Sequence, residues 1–175
     1  MNVFVFDLDN TLIDTNIIFS KENIQNKQAN SFEFYKTNIY HNPIYKKTAS
    51  LIKKLKGPKI LMTNASRTHG YYAMKAMGLV TNFIGQVDRD SGYGIKPNHG
   101  MYMKVNDVVS HVKSPIVNRR IIFFDDLQEN LKTAKTYNWI TVLISPHDAE
   151  VKCKYIDFRF TSIHNALLFF LTNSL

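Results

Sequence analysis

The apolar run VFVF at residues 3–6 leads straight into Asp7-Leu8-Asp9-Asn10-Thr11-Leu12, so two carboxylates leave the same side of a buried strand. Two such anions repel each other unless a cation stands between them. Later apolar runs end in comparable groups: residues 59–63 in Thr63-Asn64, and residues 120–124 in the pair Asp125-Asp126. A glycine-bearing stretch, Ser91-Gly92-Tyr93-Gly94-Ile95, leads to Lys96-Pro97-Asn98, with Asn98 suited to cap a following helix. Asp7, Asp125 and backbone oxygen would form a hard, all-oxygen site suited to Mg²⁺ rather than zinc, and the ligand this implies is a phosphate. Cation and Lys96 together would let an ionised carboxylate approach an anionic phosphoryl group, which opens an aspartyl-phosphate route.

These groups need a scaffold that brings strand ends to one edge. Residues 3–6, 59–63, 83–87, 120–124 and 140–144 read as buried strands. Between them, helical spacing runs over 45–56, 67–77, 98–112 and 127–137, with a final apolar helix from about 162 to 171. Alternation of this kind predicts an α/β fold: a Rossmann-like parallel sheet flanked by helices, with its crevice at the carboxyl ends of the strands. Residues 16–48 interrupt the rhythm without a buried-strand run and carry Phe19, Phe32, Phe34, Tyr35, Tyr40 and Tyr45. They read as a small helical insertion after the first strand, leaving 1–15 and 49–175 as the core domain.

With 175 residues, 45% of them apolar, the chain is the size of one domain rather than two. One cysteine excludes an internal disulfide framework, and neither a CxxC nor an HExxH pattern offers zinc; the lone thiol fits a reducing, cytoplasmic setting. No apolar run approaches the ~20 residues of a spanning helix, so no membrane role is expected. The net charge of +8 would attract polyanions or phosphorylated metabolites, and does not by itself choose between them.

At FDLDNTL (6–12), ILMTN (60–64), Lys96 within GIKP, and IIFFDDLQEN (121–130), the chain resembles the haloacid dehalogenase (HAD) superfamily of phosphohydrolases. The resemblance implies Asp7 as nucleophile and Asp9 as acid and base, the latter also ligating Mg²⁺ through its backbone carbonyl. Thr63 would hydrogen-bond a phosphoryl oxygen with Asn64 close by, and Lys96 would hold both nucleophile and phosphate. Asp125 would ligate the metal directly, Asp126 would act through water or second-shell bonds, and Asn130, one turn along, would support the hydration shell. Within the superfamily, an acid at the position of Asp9 argues for phosphate transfer over dehalogenation. The insertion resembles a small cap, and DLDNTL, TNA (63–65) and the Lys-Pro step are most similar to the pyrimidine 5'-nucleotidase-like branch. A nucleoside 5'-monophosphate is thus the expected substrate.

Other readings share these residues. Phe32, Phe34, Tyr35 and Tyr40 could stack on a nucleobase, but their spacing fits an amphipathic helix packed on the core better. Lys46, Lys47, Lys53, Lys54, Lys56 and Lys59 read as the solvated face of a helix before they read as a guide for a polyanion. The six histidines show no metal-ligand spacing; His69, just after Thr63-Asn64, is the partial exception as a substrate contact. Cys153, between two lysines, receives no role. A polynucleotide-end or phosphoprotein phosphatase would use the same chemistry, and an idle nucleic-acid-binding domain would use only the charge. A phosphoaspartate receiver is disfavoured because here the DxD pair opens the chain.

Overall fold

The computed structural model describes residues 1–20, 31–112, 119–146 and 153–173. Part of the expected insertion, residues 21–30, lies outside them. Six parallel strands form one sheet: β1 (Asn2–Phe6), β2 (Lys59–Met62), β3 (Gly85–Val87), β4 (Arg120–Asp125), β5 (Ile140–Ile144) and β6 (Phe158–Phe160), in the order β3-β2-β1-β4-β5-β6. The order reverses beside β1, which is where an open α/β sheet forms its crevice. β6 is absent from the sequence reading, because three half-buried residues, Phe-Arg-Phe, make too short a run to stand out.

Helices α1 (Thr15–Ile18), α2 (Phe32–Tyr35) and α3 (Pro43–Lys54) follow β1, with a π-helical turn over Lys36–Tyr40 continuing α2. Then come α4 (Arg67–Ala76), α5 (His99–Ser110), α6 (Gln128–Thr136) and α7 (Ile163–Thr172). Local sequence sets their starts. Asp14, Ser31, Asn42, Ser66, Asn98 and Ser162 each accept a backbone N–H as N-cap, and Pro43 occupies the first turn of α3, where its missing N–H costs nothing. α3 begins earlier than the period suggested because Asn42-Pro43 is a start signal in its own right.

Strand alternation divides the core in two. Phe4, Phe6, Leu61, Ile122, Phe124, Val142 and Ile144 point to one face, where α3, α4 and α7 cover them. Val3, Val5, Ile60, Met62, Phe123 and Leu143 point to the other, against α5 and α6 with Tyr102 and Trp139. The first cluster also takes in Ile18, Phe34, Tyr35 and Ile39, so these four side chains from the segment after β1 share a core with the sheet. Five of the six lysines between 46 and 59 are exposed, as a solvated face requires. Lys59 departs from that expectation: it lies on β2, is buried, and donates to the carbonyls of Leu55 at 2.8 Å and Gly57 at 3.0 Å.

Candidate active site

The register of β1 on β4 pairs Phe6 with Phe124, and the N–H of Asp7 donates to the Phe124 carbonyl at 2.9 Å. The rings of Phe6 and Phe124 stack at 4.8 Å and 9° on the first face of the sheet, an arrangement worth about 0.5–1.5 kcal/mol beyond burial. Pinned there, the strands deliver their next residues, Asp7 and Asp125, side by side towards the opposite face. That face carries α5, whose preceding loop supplies Lys96. Lys96 Nζ donates to Asp7 Oδ1 at 2.5 Å and to Asp125 Oδ2 at 2.7 Å, with all three side chains nearly or fully buried.

Asp125 is held from several sides. Its Oδ1 accepts from the Leu127 N–H at 2.8 Å and from Asn130 Nδ2 at 2.9 Å, and Asn130 Nδ2 also reaches Oδ2 at 3.1 Å. Asn130, expected to serve a hydration shell, is therefore bonded directly to the Asp125 carboxylate. Asn64, expected close to the phosphate, makes a different contact. Its carboxamide is committed to the backbone of Lys96, accepting from Lys96 N–H at 2.6 Å and donating to the Lys96 carbonyl at 3.0 Å. Thr63 follows β2, fully buried; its N–H donates to the Val87 carbonyl at 2.9 Å and its Oγ1 accepts from the Ala65 N–H at 3.0 Å, which leaves the hydroxyl proton to donate.

Asp7, Asp125 and Asp126 each bring a carboxylate oxygen to within 4.8 Å of the others. Asp126, expected to act through water or second-shell bonds, is part of this cluster and is the more open of the three. Three ionised carboxylates against the one ammonium of Lys96 leave a net −2, the charge that a divalent cation cancels, and oxygen-only donors suit Mg²⁺. The electrostatics report the same surplus. Burial pushes the Asp7 carboxyl up to about 7, Lys96 opposing and Asp125 and Asp126 adding. Burial and the charge of Asp125 push Asp126 up to about 6. Lys96, although burial disfavours its charge, is held above the ordinary lysine range by Asp125 and Asp7.

Asp9 stands apart from that cluster. Its Oδ1 accepts from Thr15 Oγ1 at 3.3 Å and lies 2.8 Å from Nε2 of His69, whose Nδ1 is 2.7 Å from the Tyr35 hydroxyl. Tyr35 was expected to pack or to stack on a base, and its ring is buried. The one sequence signal for this chain of contacts was the position of His69 shortly after Thr63-Asn64. A further buried acid, Asp88, was not singled out; it binds Ser91 Oγ at 2.9 Å, Gln86 Nε2 at 3.0 Å and Arg67 Nε at 3.3 Å, and so ties β3 to the start of α4.

A parallel sheet whose central strand ends gather acids, a buried lysine and a hydroxyl defines a hydrolase of the HAD superfamily. A family model described as Acid Phosphatase matches residues 1–147, and the chain belongs to that family. No curated protein matches it in sequence. Among solved structures, it is similar to the L-2-haloacid dehalogenase from Xanthobacter autotrophicus, with a TM-score of 0.69 and 10% identity over 98% of this chain and 99% of that one. A HAD-superfamily hydrolase from Ehrlichia chaffeensis gives a TM-score of 0.65 and 13% identity over 98% and 97%. A HAD phosphatase from Thermococcus onnurineus gives 0.59 and 14% over 95% and 96%. At these identities the likeness is one of fold.

Proposed function

We propose that the protein is a Mg²⁺-dependent phosphomonoesterase that works through a phosphoaspartyl intermediate on a small phosphorylated metabolite, with nucleoside 5'-monophosphates preferred. The observation that carries this reading is the pair of carboxylates after β1: Asp7 in contact with Lys96, and Asp9 held separately by His69. The ion would sit among Asp7, Asp125, Asp126 and the Asp9 carbonyl, where its charge lowers the repulsion between carboxylate and phosphate. An Asp7 oxygen attacks phosphorus, the bond from phosphorus to the ester oxygen breaks, and a proton from Asp9 goes to that oxygen as the alcohol leaves. Asp9, now ionised, takes a proton from water; the water oxygen attacks the acyl phosphate, and the bond from phosphorus to Asp7 breaks. Inorganic phosphate leaves and Asp9 is again protonated, so the cycle closes. Thr63 and Lys96 donate to the phosphoryl oxygens throughout, and Asn64 serves by fixing Lys96.

Residues 16–48 act in this reading as a cap over the leaving group. Phe34 and Tyr35 are buried, so a nucleobase would meet the more open rings, Phe19, Phe32 and Tyr40. Wild type and Asp7→Asn, each with and without Mg²⁺, are to be screened against nucleoside monophosphates, sugar phosphates, a 3'-phosphorylated oligonucleotide and a phosphopeptide. Phosphate release by wild type alone, dependent on Mg²⁺ and fastest with a nucleoside monophosphate, is expected. Equal release by both proteins, or chloride release from L-2-chloropropionate in place of phosphate release, overturns the assignment.

A further inference from the structure

The contacts of Asp9 run in one line through three parts of the chain. Tyr35, at the end of α2, reaches Nδ1 of His69; His69, in the first turn of α4, reaches Oδ1 of Asp9 in the loop after β1. The imidazole is well held: its side chain is 16% exposed, the Phe19 ring stacks on it at 5.6 Å, and the Tyr35 ring meets it edge-on at 5.4 Å. Burial, with the charge of Asp9 adding, pushes the Tyr35 phenol up to about 12, so its hydroxyl stays protonated and donates. A phenol donating to Nδ1 leaves the proton of a neutral imidazole on Nε2, the nitrogen that faces Asp9.

We infer that His69 is a positioning residue for the acid–base step, its tautomer set by Tyr35, and that it works by occupying Asp9 Oδ1 with a donor so that the transferable proton resides on Oδ2. Among the described residues, both hydrogen bonds to this carboxylate, from His69 and from Thr15, go to Oδ1. An oxygen that accepts N–H and O–H donors is a poor place for a further proton, whereas the other oxygen is left for the leaving group and later for water. The inference rests on the proposed phosphatase reading and deepens it by naming what holds the acid.

A damaged acid matters most when the leaving oxygen needs its proton. Alkyl phosphates need it; p-nitrophenyl phosphate, whose phenolate leaves unaided, does so far less. The measurement is kcat/KM, which stops at phosphoenzyme formation, for an alkyl phosphate and for p-nitrophenyl phosphate with Mg²⁺. The proteins are wild type, His69→Leu, His69→Gln, Tyr35→Phe and Asp7→Asn. For His69→Leu the alkyl value is expected to fall about 10- to 100-fold and the aryl value by less than about 3-fold, since a general acid is worth about 10²–10⁴ in rate and is here misplaced rather than removed. His69→Gln, which returns an N–H near Nε2, restores most of the alkyl rate. Tyr35→Phe, which keeps the ring in the core, gives a weaker version of the same split. An equal fall on both substrates, no fall on either, or no recovery in His69→Gln overturns the role of His69. If Asp7→Asn is as active as wild type, it is the phosphatase reading that falls.

Discussion

The carboxamide of Asn64 is paired with both backbone polar atoms of Lys96, at 2.6 Å and 3.0 Å, so the second residue after β2 fixes the lysine that bridges the ends of β1 and β4. An asparagine at this strand end thus acts on the site through another residue's main chain. Asn64→Ala removes both bonds, and leaving such groups unpaired costs about 1–3 kcal/mol each where water cannot replace the partner. The expected result is a lower melting temperature together with a loss of phosphate release of at least about tenfold, which is 1.4 kcal/mol in the barrier. Thermal unfolding and steady-state kinetics on the same preparation check it; full activity would show that the loop holds Lys96 unaided.

Without a divalent ion, the acid cluster makes stability depend on pH in an unusual direction. In the folded chain Asp7 is raised to about 7 and Asp126 to about 6, whereas in the unfolded chain both sit at the ordinary carboxylate value. Between about pH 4 and pH 7 the folded state therefore binds more protons than the unfolded state, and this contribution falls as pH rises. The metal-free protein should lose melting temperature across that window, and saturating Mg²⁺ should raise it more at pH 8 than at pH 5. Differential scanning fluorimetry in EDTA and in Mg²⁺ tests both statements; an equal Mg²⁺ effect at the two pH values contradicts them.

Asp7→Asn follows from the same surplus of charge. The amide removes one buried negative charge while preserving shape, and Asp125 remains to neutralise Lys96. We expect the variant to melt higher than wild type in EDTA at pH 8, to gain less from Mg²⁺, and to release no phosphate. A lower melting temperature in EDTA would mean that the ion pair with Lys96 outweighs the cost of burying the Asp7 charge together with the repulsion from its neighbours.

Leu127 stands at the N-cap of α6, half exposed and with no side-chain cap bond, where the other long helices carry Ser or Asn. Replacing it by Ser supplies an acceptor for a first-turn N–H. Such caps are worth about 0.5–2 kcal/mol, which for a chain of this size is a rise of about 2–4 °C per kcal/mol in Tm. Thermal unfolding at neutral pH reads the gain directly; the backbone bond from Leu127 N–H to Asp125 should survive, so metal affinity should not change.

The sheet was legible because buried parallel strands are written as continuous apolar runs, and each of the five runs read from sequence overlaps a strand of the structure, with ends that differ by two residues at most. β6 was not, since Phe158 and Phe160 draw their burial from Phe169 and Phe170 on α7 and not from an apolar run of their own. Asp7, Lys96 and Asp125 could be read as convergent because strand ends and helix starts are local signals that topology then gathers to one edge. What the Asn64 side chain touches could not. Asn64 is an amide whose partner, the backbone of Lys96, depends on loop geometry that no spacing rule encodes, whereas Asn130, one turn after Asp125, could be placed beside the acids by spacing but not given its bond to the carboxylate. Tyr35 was hidden for a different reason: a buried aromatic at helical spacing looks the same whether or not its hydroxyl has work to do.

The two carboxylates after β1 depend on different parts of the molecule. Asp7 shares Lys96 with Asp125, which is fixed from α6 and its preceding turn; Asp9 answers to Thr15, and through His69 to Tyr35, in the stretch of chain between β1 and α3. On the proposed phosphatase reading, substitutions in that stretch would retune proton delivery by the Asp9 side chain while the carboxylates of Asp7 and Asp125 stay held as they are, a dial for selectivity set apart from the charged centre.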